Sequence, residues 1–297
     1  MEHKIFVLSY EGYKHDYRIN LGDEIQTISA SRLLPKVDGY VSREALNKVN
    51  EKCIVSLNGF FMSSNNWPPS KNVIPIPFAF HIARKSEKEI CSPEGLEYLK
   101  KYQPIGCRDM GTVNILQRHG IESYFSRCLT LTLDARDEMS TQNKICIVGL
   151  DKDFLKLIPK NLSKNAIFIN QSNINLPFVS PDTKMHLAES LLDFYRKNAC
   201  LVITQKIHCA MPCIAMGIPV IFIWDKARKN DYRVKTLDGI CKINYVNKFL
   251  LRFPLVSSIV SKWIDWNPEA PDIGAIKQSI KQNYLSAYEL AKKRFYE

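Results

Sequence analysis

No stretch of this sequence approaches the ~20 consecutive apolar residues that a bilayer-crossing helix requires. Runs such as Pro219-Val220-Ile221-Phe222-Ile223-Trp224 meet charge after one strand's length, so the chain is not expected to span a membrane. The opening residues Met1 to Leu8 hold only a short apolar run before Ser9, without the long hydrophobic stretch and small-residue cleavage site of a secretory signal. Secretion by that route is not expected. The nine cysteines are odd in number, include no CxxC pair, and mostly sit in apolar strands, as Cys146 does in Lys144-Ile145-Cys146-Ile147-Val148. Reduced, buried thiols in a reducing cytosol fit that pattern. The nearest metal-like grouping, His208-Cys209 with Cys213, has no nearby fourth ligand, so no metal is expected there. Zinc-finger spacing, an RNP-like aromatic motif and a long basic block are all missing, which argues against nucleic acid as a partner. No short-period repeat or low-complexity tract is present.

Acidic residues are in deficit: 30 Asp+Glu against 41 Lys+Arg leave a formal charge of +11. The balance favours contact with something anionic, whether a nucleic acid, a phospholipid surface or a phosphorylated or carboxylated substrate, and does not choose among them. A chain of 297 residues with 45% hydrophobic content is long enough for two globular domains and too apolar for disorder.

Short β-rich apolar runs alternate with helical patterns throughout, which indicates parallel sheets with crossover helices on both faces, a doubly wound α/β fold. Strand candidates in the first half are Lys4 to Tyr10, Val37 to Val41, Cys53 to Phe61, Pro77 to Ile82, Ile105 to Arg108 and Tyr124 to Leu133. Those in the second are Ile145 to Leu150, Ala166 to Asn170, Leu201 to Thr204 and Val220 to Trp224. Helices are expected at Gly22-Asp23-Glu24 onward, around Met110, Val113 and Leu116, and around Ala188, Leu191, Leu192 and Tyr195. The polar stretch Asp134 to Asn143 reads as a linker between two Rossmann-like halves. The expected organisation is therefore an N-terminal domain over 1–136, a C-terminal domain over 137–272 and an amphipathic helix over 273–297, free to pack on either half or across both. Ligands of open α/β sheets bind beyond the carboxyl ends of the strands, so two such halves facing one another form a cleft lined by strand ends.

The sharpest unit runs from Leu201 to Ile221 and reads as strand, turn, helix, Gly stop, Pro, strand. Lys206 and His208 fall at the turn and helix start, where free N–H groups and the helix dipole attract anions. His208 is placed to donate a proton and Lys206 to supply a point charge; a capping His and a solvated Lys are the plain alternative. Asn20-Leu21-Gly22-Asp23-Glu24 opens the first helix as a ligand-binding turn would, although it is not a GxGxxG fingerprint. Asp23 either caps that helix or hydrogen-bonds and deprotonates a sugar hydroxyl. Asn58-Gly59, His81 and Arg108-Asp109 are further strand ends. Arg108 offers a bidentate fork for carboxylate or phosphate, or a structural pair with Asp109. Gly59 either admits a ligand close to the backbone or relieves crowding beside Phe60 and Phe61, and His81 is more readily a satisfied polar strand end than a catalyst. The cationic loop Asp225 to Arg233 either clamps an anion, with Arg233 held by Asp231, or serves solubility.

Together these segments resemble the polysaccharide pyruvyl transferase family. The resemblance rests on Asn20-Leu21-Gly22-Asp23-Glu24-Ile25-Gln26, Val37-Asp38-Gly39-Tyr40-Val41-Ser42-Arg43-Glu44, Leu57-Asn58-Gly59-Phe60-Phe61-Met62, Phe80-His81-Ile82, Gly106-Cys107-Arg108-Asp109 and, most specifically, Ile203-Thr204-Gln205-Lys206-Ile207-His208-Cys209-Ala210. The family usually carries Arg at the position of Lys206, so charge survives here and the fork is lost. The resemblance implies two Rossmann-like domains facing across a cleft in the manner of GT-B glycosyltransferases, the N-terminal one on the acceptor side and the C-terminal one on the donor side. It implies transfer of pyruvate from phosphoenolpyruvate to two hydroxyls of one sugar, forming a cyclic ketal and releasing phosphate, with phosphoenolpyruvate as donor substrate and no cofactor. Arg108, Lys206, Arg233 and the helix start at Ile207 would hold the donor, His208 would act as general acid and Asp23 as base, with Asn20, Gly22, Asn58, Gly59 and His81 completing the binding site. The acceptor would be a bacterial surface glycan, such as an exopolysaccharide or capsule, or its lipid-linked oligosaccharide precursor. The enzyme would be cytoplasmic, with its basic surface and terminal helix aiding peripheral contact at the inner face of the membrane. The competing readings are a nucleotide-sugar glycosyltransferase of the same architecture and a nonenzymatic glycan- or nucleic-acid-binding module.

Overall fold

The computed structural model describes residues 2–10, 18–61, 66–138, 142–177 and 179–297. Met62 of the Leu57-Asn58-Gly59-Phe60-Phe61-Met62 motif and 139–141 of the polar linker lie outside them. Two parallel sheets organise the chain. The first has the order Gly39–Ser42, Ile5–Ser9, Cys53–Ser56, Val73–Ile76. The second has the order Ile167–Ile169, Lys144–Val148, Ala199–Thr204, Val220–Asp225, Ile243–Val246. Most inner strands are continuous apolar runs because helices and turns cover both of their faces, so no alternation survives in them. This is a mixed α/β fold with parallel, Rossmann-like sheets.

Several expected strands are shorter than their apolar runs. Pro77 to Ile82 is not one strand: Ala79 takes a left-handed φ of 53°, after which Phe80 makes an isolated parallel bridge with Cys107 and His81–Ile82 pairs with Phe60–Phe61. The run from Tyr124 to Leu133 likewise stops at Phe125, because Arg127 has φ 62° and Leu129–Thr132 then winds into a buried 3-10 turn. Burial of apolar residues in a turn looks the same in sequence as burial in a strand. One pairing was not expected from the sequence. Arg18–Asn20 joins Ser172–Asn175 in an antiparallel ribbon that ties the two halves together; both strands are polar and carry no strand pattern.

Helix Leu21–Ser31 is buried on nearly every side and packs on helix Pro181–Asn198. One cluster of buried side chains includes Ile5 and Ile54 of the first sheet with Val202 and Phe222 of the second, so the halves share a core. The terminal helix Gly274–Tyr296 runs across both. Lys277 donates to the carbonyl of Ala215 at 2.9 Å, while Tyr284 Oη donates to Ser56 Oγ at 2.9 Å and Tyr288 meets His3 Nε2 at 3.1 Å. Among the described residues, no helix is long and apolar enough to cross a membrane.

Candidate active site

Strand Ala199–Thr204 leads into the site through a turn fixed by one hydroxyl. Thr204 Oγ1 donates to the carbonyl of Val148 at 2.8 Å and accepts from the amide of Lys206 at 2.9 Å. Helix Ile207–Ala215 follows, and it contains Pro212. Proline has no N–H to offer the carbonyl four residues earlier, and its ring crowds that carbonyl. The residue affected is His208, whose backbone departs from helical values at φ −84°, ψ 21°. Its freed carbonyl accepts from Gln171 Nε2 at 3.2 Å instead. Gln171 is itself held by Tyr195 Oη at 3.1 Å, and its backbone oxygen accepts from the amide of Leu21 at 2.9 Å.

The same residue thus joins the starts of two helices. In Leu21–Ser31, the Asn20 side chain caps the amide of Gly22 at 3.2 Å. Asp23 accepts from Asn20 Nδ2 and from Gln26 Nε2, each at 3.1 Å. Gly22 allows the close approach: a Cβ there would stand 3.0 Å from Cβ of His208 and 3.2 Å from Gln171 Nε2.

Arg108 follows strand Ile105–Cys107 and is buried. One terminal nitrogen donates to Gln26 Oε1 at 3.0 Å and stands 3.3 Å from His208 Nε2. Behind Gln26, its carbonyl accepts from Asn58 Nδ2 at 2.8 Å, and Asn58 Oδ1 accepts from Ser56 Oγ at 3.0 Å. A continuous chain of buried polar contacts therefore runs from Tyr284 on the terminal helix through Ser56, Asn58 and Gln26 to Arg108 and His208.

The cationic segment after strand Val220–Asp225 closes the opposite wall. Asp231 grips Arg233 through both oxygens, at 2.8 and 2.6 Å. The guanidinium of Arg228 lies 4.5 Å above the ring of Trp224. Tyr232 anchors the segment to the first half: its hydroxyl donates to the carbonyl of Ile82 at 2.6 Å, and its ring covers Gly111 so closely that a Cβ there would fall 2.2 Å away. Thr236 Oγ1 adds a bond to the carbonyl of Arg108 at 3.1 Å.

A cavity of about 300 Å³ lies between these elements. Asn20, Asp23, Arg108, Lys206, His208 and Arg233 all line it, with Gln171, Gln205, Trp224 and Arg228 completing its walls. Four cations face one carboxylate. Burial, then Arg108, His81 and Arg233, hold the His208 imidazole well below its ordinary range, which favours the neutral ring. Burial raises the Asp23 carboxyl against the pull of Arg43 and Arg108, which makes it a stronger base. Burial and the neighbouring Arg228 lower the Lys206 ammonium.

Three of the residues read from strand ends do not face this cavity. Asn58 stands behind Gln26. Gly59 packs against Leu8 and gives its carbonyl to the amide of His81 at 3.2 Å. His81 is buried, its Nδ1 2.5 Å from Asp109, and borders an adjoining cavity of about 480 Å³ with Arg84 and Tyr232. Asp109 also caps the amide of Thr112 at 2.9 Å, so its carboxylate serves the helix and His81. Sequence reasoning passed over Gln26 and Gln171. A neutral amide carries no charge signal. Among the described residues, no three His, Cys, Asp or Glu side chains gather as a metal would need.

The model of the polysaccharide pyruvyl transferase family matches residues 12–226, which includes every residue of this cavity except Arg228 and Arg233. The chain belongs to the polysaccharide pyruvyl transferase family. No curated protein matches its sequence. A crystal structure of a functionally uncharacterised protein from Klebsiella pneumoniae subsp. pneumoniae is similar over 78% of this chain and 87% of that one, with 14% identity and a TM-score of 0.44. Within this family member, Lys206 extends across Gly149, whose φ of 52° and missing Cβ leave room for the lysine stem.

Proposed function

We propose that the protein transfers pyruvate from phosphoenolpyruvate to two hydroxyls of one sugar in a bacterial surface glycan or its lipid-linked precursor, forming a cyclic ketal and releasing phosphate. One observation carries this reading: an imidazole and a carboxylate share a small cavity with Arg108, Lys206, Arg228 and Arg233. A donor bearing both phosphate and carboxylate needs several cations, and its enol carbon needs an acid. Binding of that donor reverses the positive field around His208 and lets the ring take up a proton. His208 passes this proton to the methylene carbon, and the resulting oxocarbenium centre is stabilised by the donor's own carboxylate. A sugar hydroxyl adds to that centre while Asp23 accepts its proton, giving a phosphorylated tetrahedral intermediate. Loss of phosphate and attack by the second hydroxyl close the ring, the second proton leaving with phosphate. The proton on Asp23 balances the one His208 delivered.

In this reading residues 1–136 form the acceptor lobe, 137–272 the donor lobe and 273–297 the helix that joins them, in a GT-B-like arrangement. The enzyme works without a cofactor, at the inner face of the membrane where lipid-linked acceptors reside. The test is incubation with phosphoenolpyruvate and galactose-terminated glycans while phosphate is measured. Glycan-dependent release, with a glycan product heavier by one ketal-linked pyruvate, is the expected result. Turnover of a nucleotide sugar with no phosphate release from phosphoenolpyruvate would replace this reading by a glycosyltransferase.

A further inference from the structure

Between Asp238 and Asp265 the sequence contains no carboxylate and four cations, Lys242, Lys248, Arg252 and Lys262. The same stretch holds seven of the large apolar side chains that the described residues expose. Helix Pro254–Ser261 carries apolar side chains on its outer as well as its inner side. Its inner side presents Ser257, which donates to the carbonyl of Pro254 at 2.8 Å, and Ser261, which donates to the carbonyl of Leu157 at 2.7 Å. Its outer side presents Leu255 and Ile259, and Trp263 continues that stripe one turn on. Leu255 is 74% exposed and Trp263 71%. Phe249 and Phe253 extend the patch, and Arg252 lies over the Phe249 ring at 4.7 Å with its charge outward. The inner side also carries Val260, which packs on the core, so the exposed Leu255, Ile259 and Trp263 form a second apolar stripe that this fold leaves uncovered.

We propose that the segment 249–263 docks the protein on an anionic phospholipid surface, with Leu255, Ile259 and Trp263 entering the interface and Arg252 and Lys262 meeting the headgroups. Lys248 is paired with Asp151 at 2.6 Å, and the charge of Lys242, Arg252 and Lys262 selects lipid over a second copy of the chain, since a self-interface would set these three cations against their own counterparts. Aromatic and aliphatic side chains flanked by Lys and Arg are the composition of a helix lying in a membrane interface. The terminal helix does not supply this surface, because Tyr284 and Tyr288 hold it against Ser56 and His3. The segment leaves the second sheet at Val246, beyond the same carboxyl edge that carries Lys206 and Trp224, so docking brings the cavity's edge of the sheet toward the lipid. This deepens the membrane part of the proposed function, and its test uses no donor or acceptor, so its failure leaves the transfer reaction untouched.

The full chain is sedimented with vesicles of phosphatidylglycerol mixed with phosphatidylcholine, and with phosphatidylcholine alone. Binding to the anionic vesicles is expected to exceed binding to the neutral ones by ~10-fold or more and to weaken with salt. The combined variant Leu255→Ser, Ile259→Ser, Trp263→Ser is expected to lose at least ~10-fold in partitioning. Quenching of wild-type tryptophan fluorescence by brominated lipid, lost in Trp263→Phe, gives a second readout should the combined variant fail to fold. Equal partitioning of variant and wild type would overturn the proposal. So would a wild-type dimer in solution that the variant converts to monomer, which would assign the face to a second copy.

Discussion

A guanidinium nitrogen of Arg108 stands 3.3 Å from Nε2 of His208. Guanidinium nitrogens only donate, so Nε2 accepts and the neutral ring carries its hydrogen on Nδ1. An acid at this position must therefore acquire a second proton after the pocket fills. Calorimetric titration of phosphoenolpyruvate in buffers of different ionisation enthalpy is expected to show uptake of about one proton per donor bound near neutral pH. The uptake should vanish in His208→Asn. Binding without proton uptake would rule out His208 as an acid charged by the bound donor.

Asn58 is a positioning residue, since its amide reaches Gln26 and Ser56 rather than the cavity. Asn58→Ala removes the acceptor of the Ser56 hydroxyl and the side-chain donor to the Gln26 carbonyl, both buried, at a cost of roughly 1–3 kcal/mol in unfolding free energy. Its effect on turnover is expected to be a several-fold loss in kcat with little change in KM, because Arg108 loses its aim while the pocket keeps its charges. A rise in KM with unchanged thermal stability would instead mean that Asn58 touches substrate.

The ring of Tyr232 occupies the space where a side chain on Gly111 would lie. Gly111→Ala should push the segment around Arg233 away from the first half, lowering stability by about 1–3 kcal/mol and weakening donor binding. Tyr232→Ala in the same chain should restore part of the stability, since the clash is gone, yet leave donor binding weak. Independent, additive effects of the two substitutions would show that the contact does not set the position of Arg233.

Burial, followed by the charge of Arg108, lowers the His81 imidazole from 6.5 to about 4 despite its bond to Asp109. The folded state therefore binds this proton less readily than the unfolded chain. Its contribution to stability is complete above pH 6.5 and is lost as pH falls through about 4. Denaturant unfolding across that window is expected to show a decline of up to about 3 kcal/mol, reduced in His81→Asn. His208 shifts in the same direction and accounts for part of what remains. A pH-independent stability between neutral and pH 4 would mean that His81 is charged in the native protein.

The sequence made the parallel sheets and the turn at Lys206 legible because both rest on local pattern: apolar runs of strand length, then Thr-Gln-Lys-Ile-His at a strand end. Charged groups at other strand ends, Asp23 and Arg108 among them, stand where a cleft between sheet edges would need them. What stayed hidden were contacts set by folding at long range. Gln26 and Gln171 act through neutral amides whose partners lie far off in sequence, and Asn58 faces inward because Gln26 presents its carbonyl there. The polar ribbon of Arg18–Asn20 with Ser172–Asn175 has no alternation to read. Ala79 and Arg127 take left-handed backbone that nothing in their side chains signals, so the runs around them passed for longer strands.

Pro212 lines no part of the cavity, yet the imidazole four residues earlier owes its tilt to a hydrogen that Pro212 lacks. Restoring that hydrogen with alanine would let the first turn of the helix regularise, draw the His208 carbonyl away from Gln171 and swing the ring off Arg108. Reactivity here is thus written partly into main-chain geometry, and the position most able to disarm the ring silently is one whose side chain only fills core.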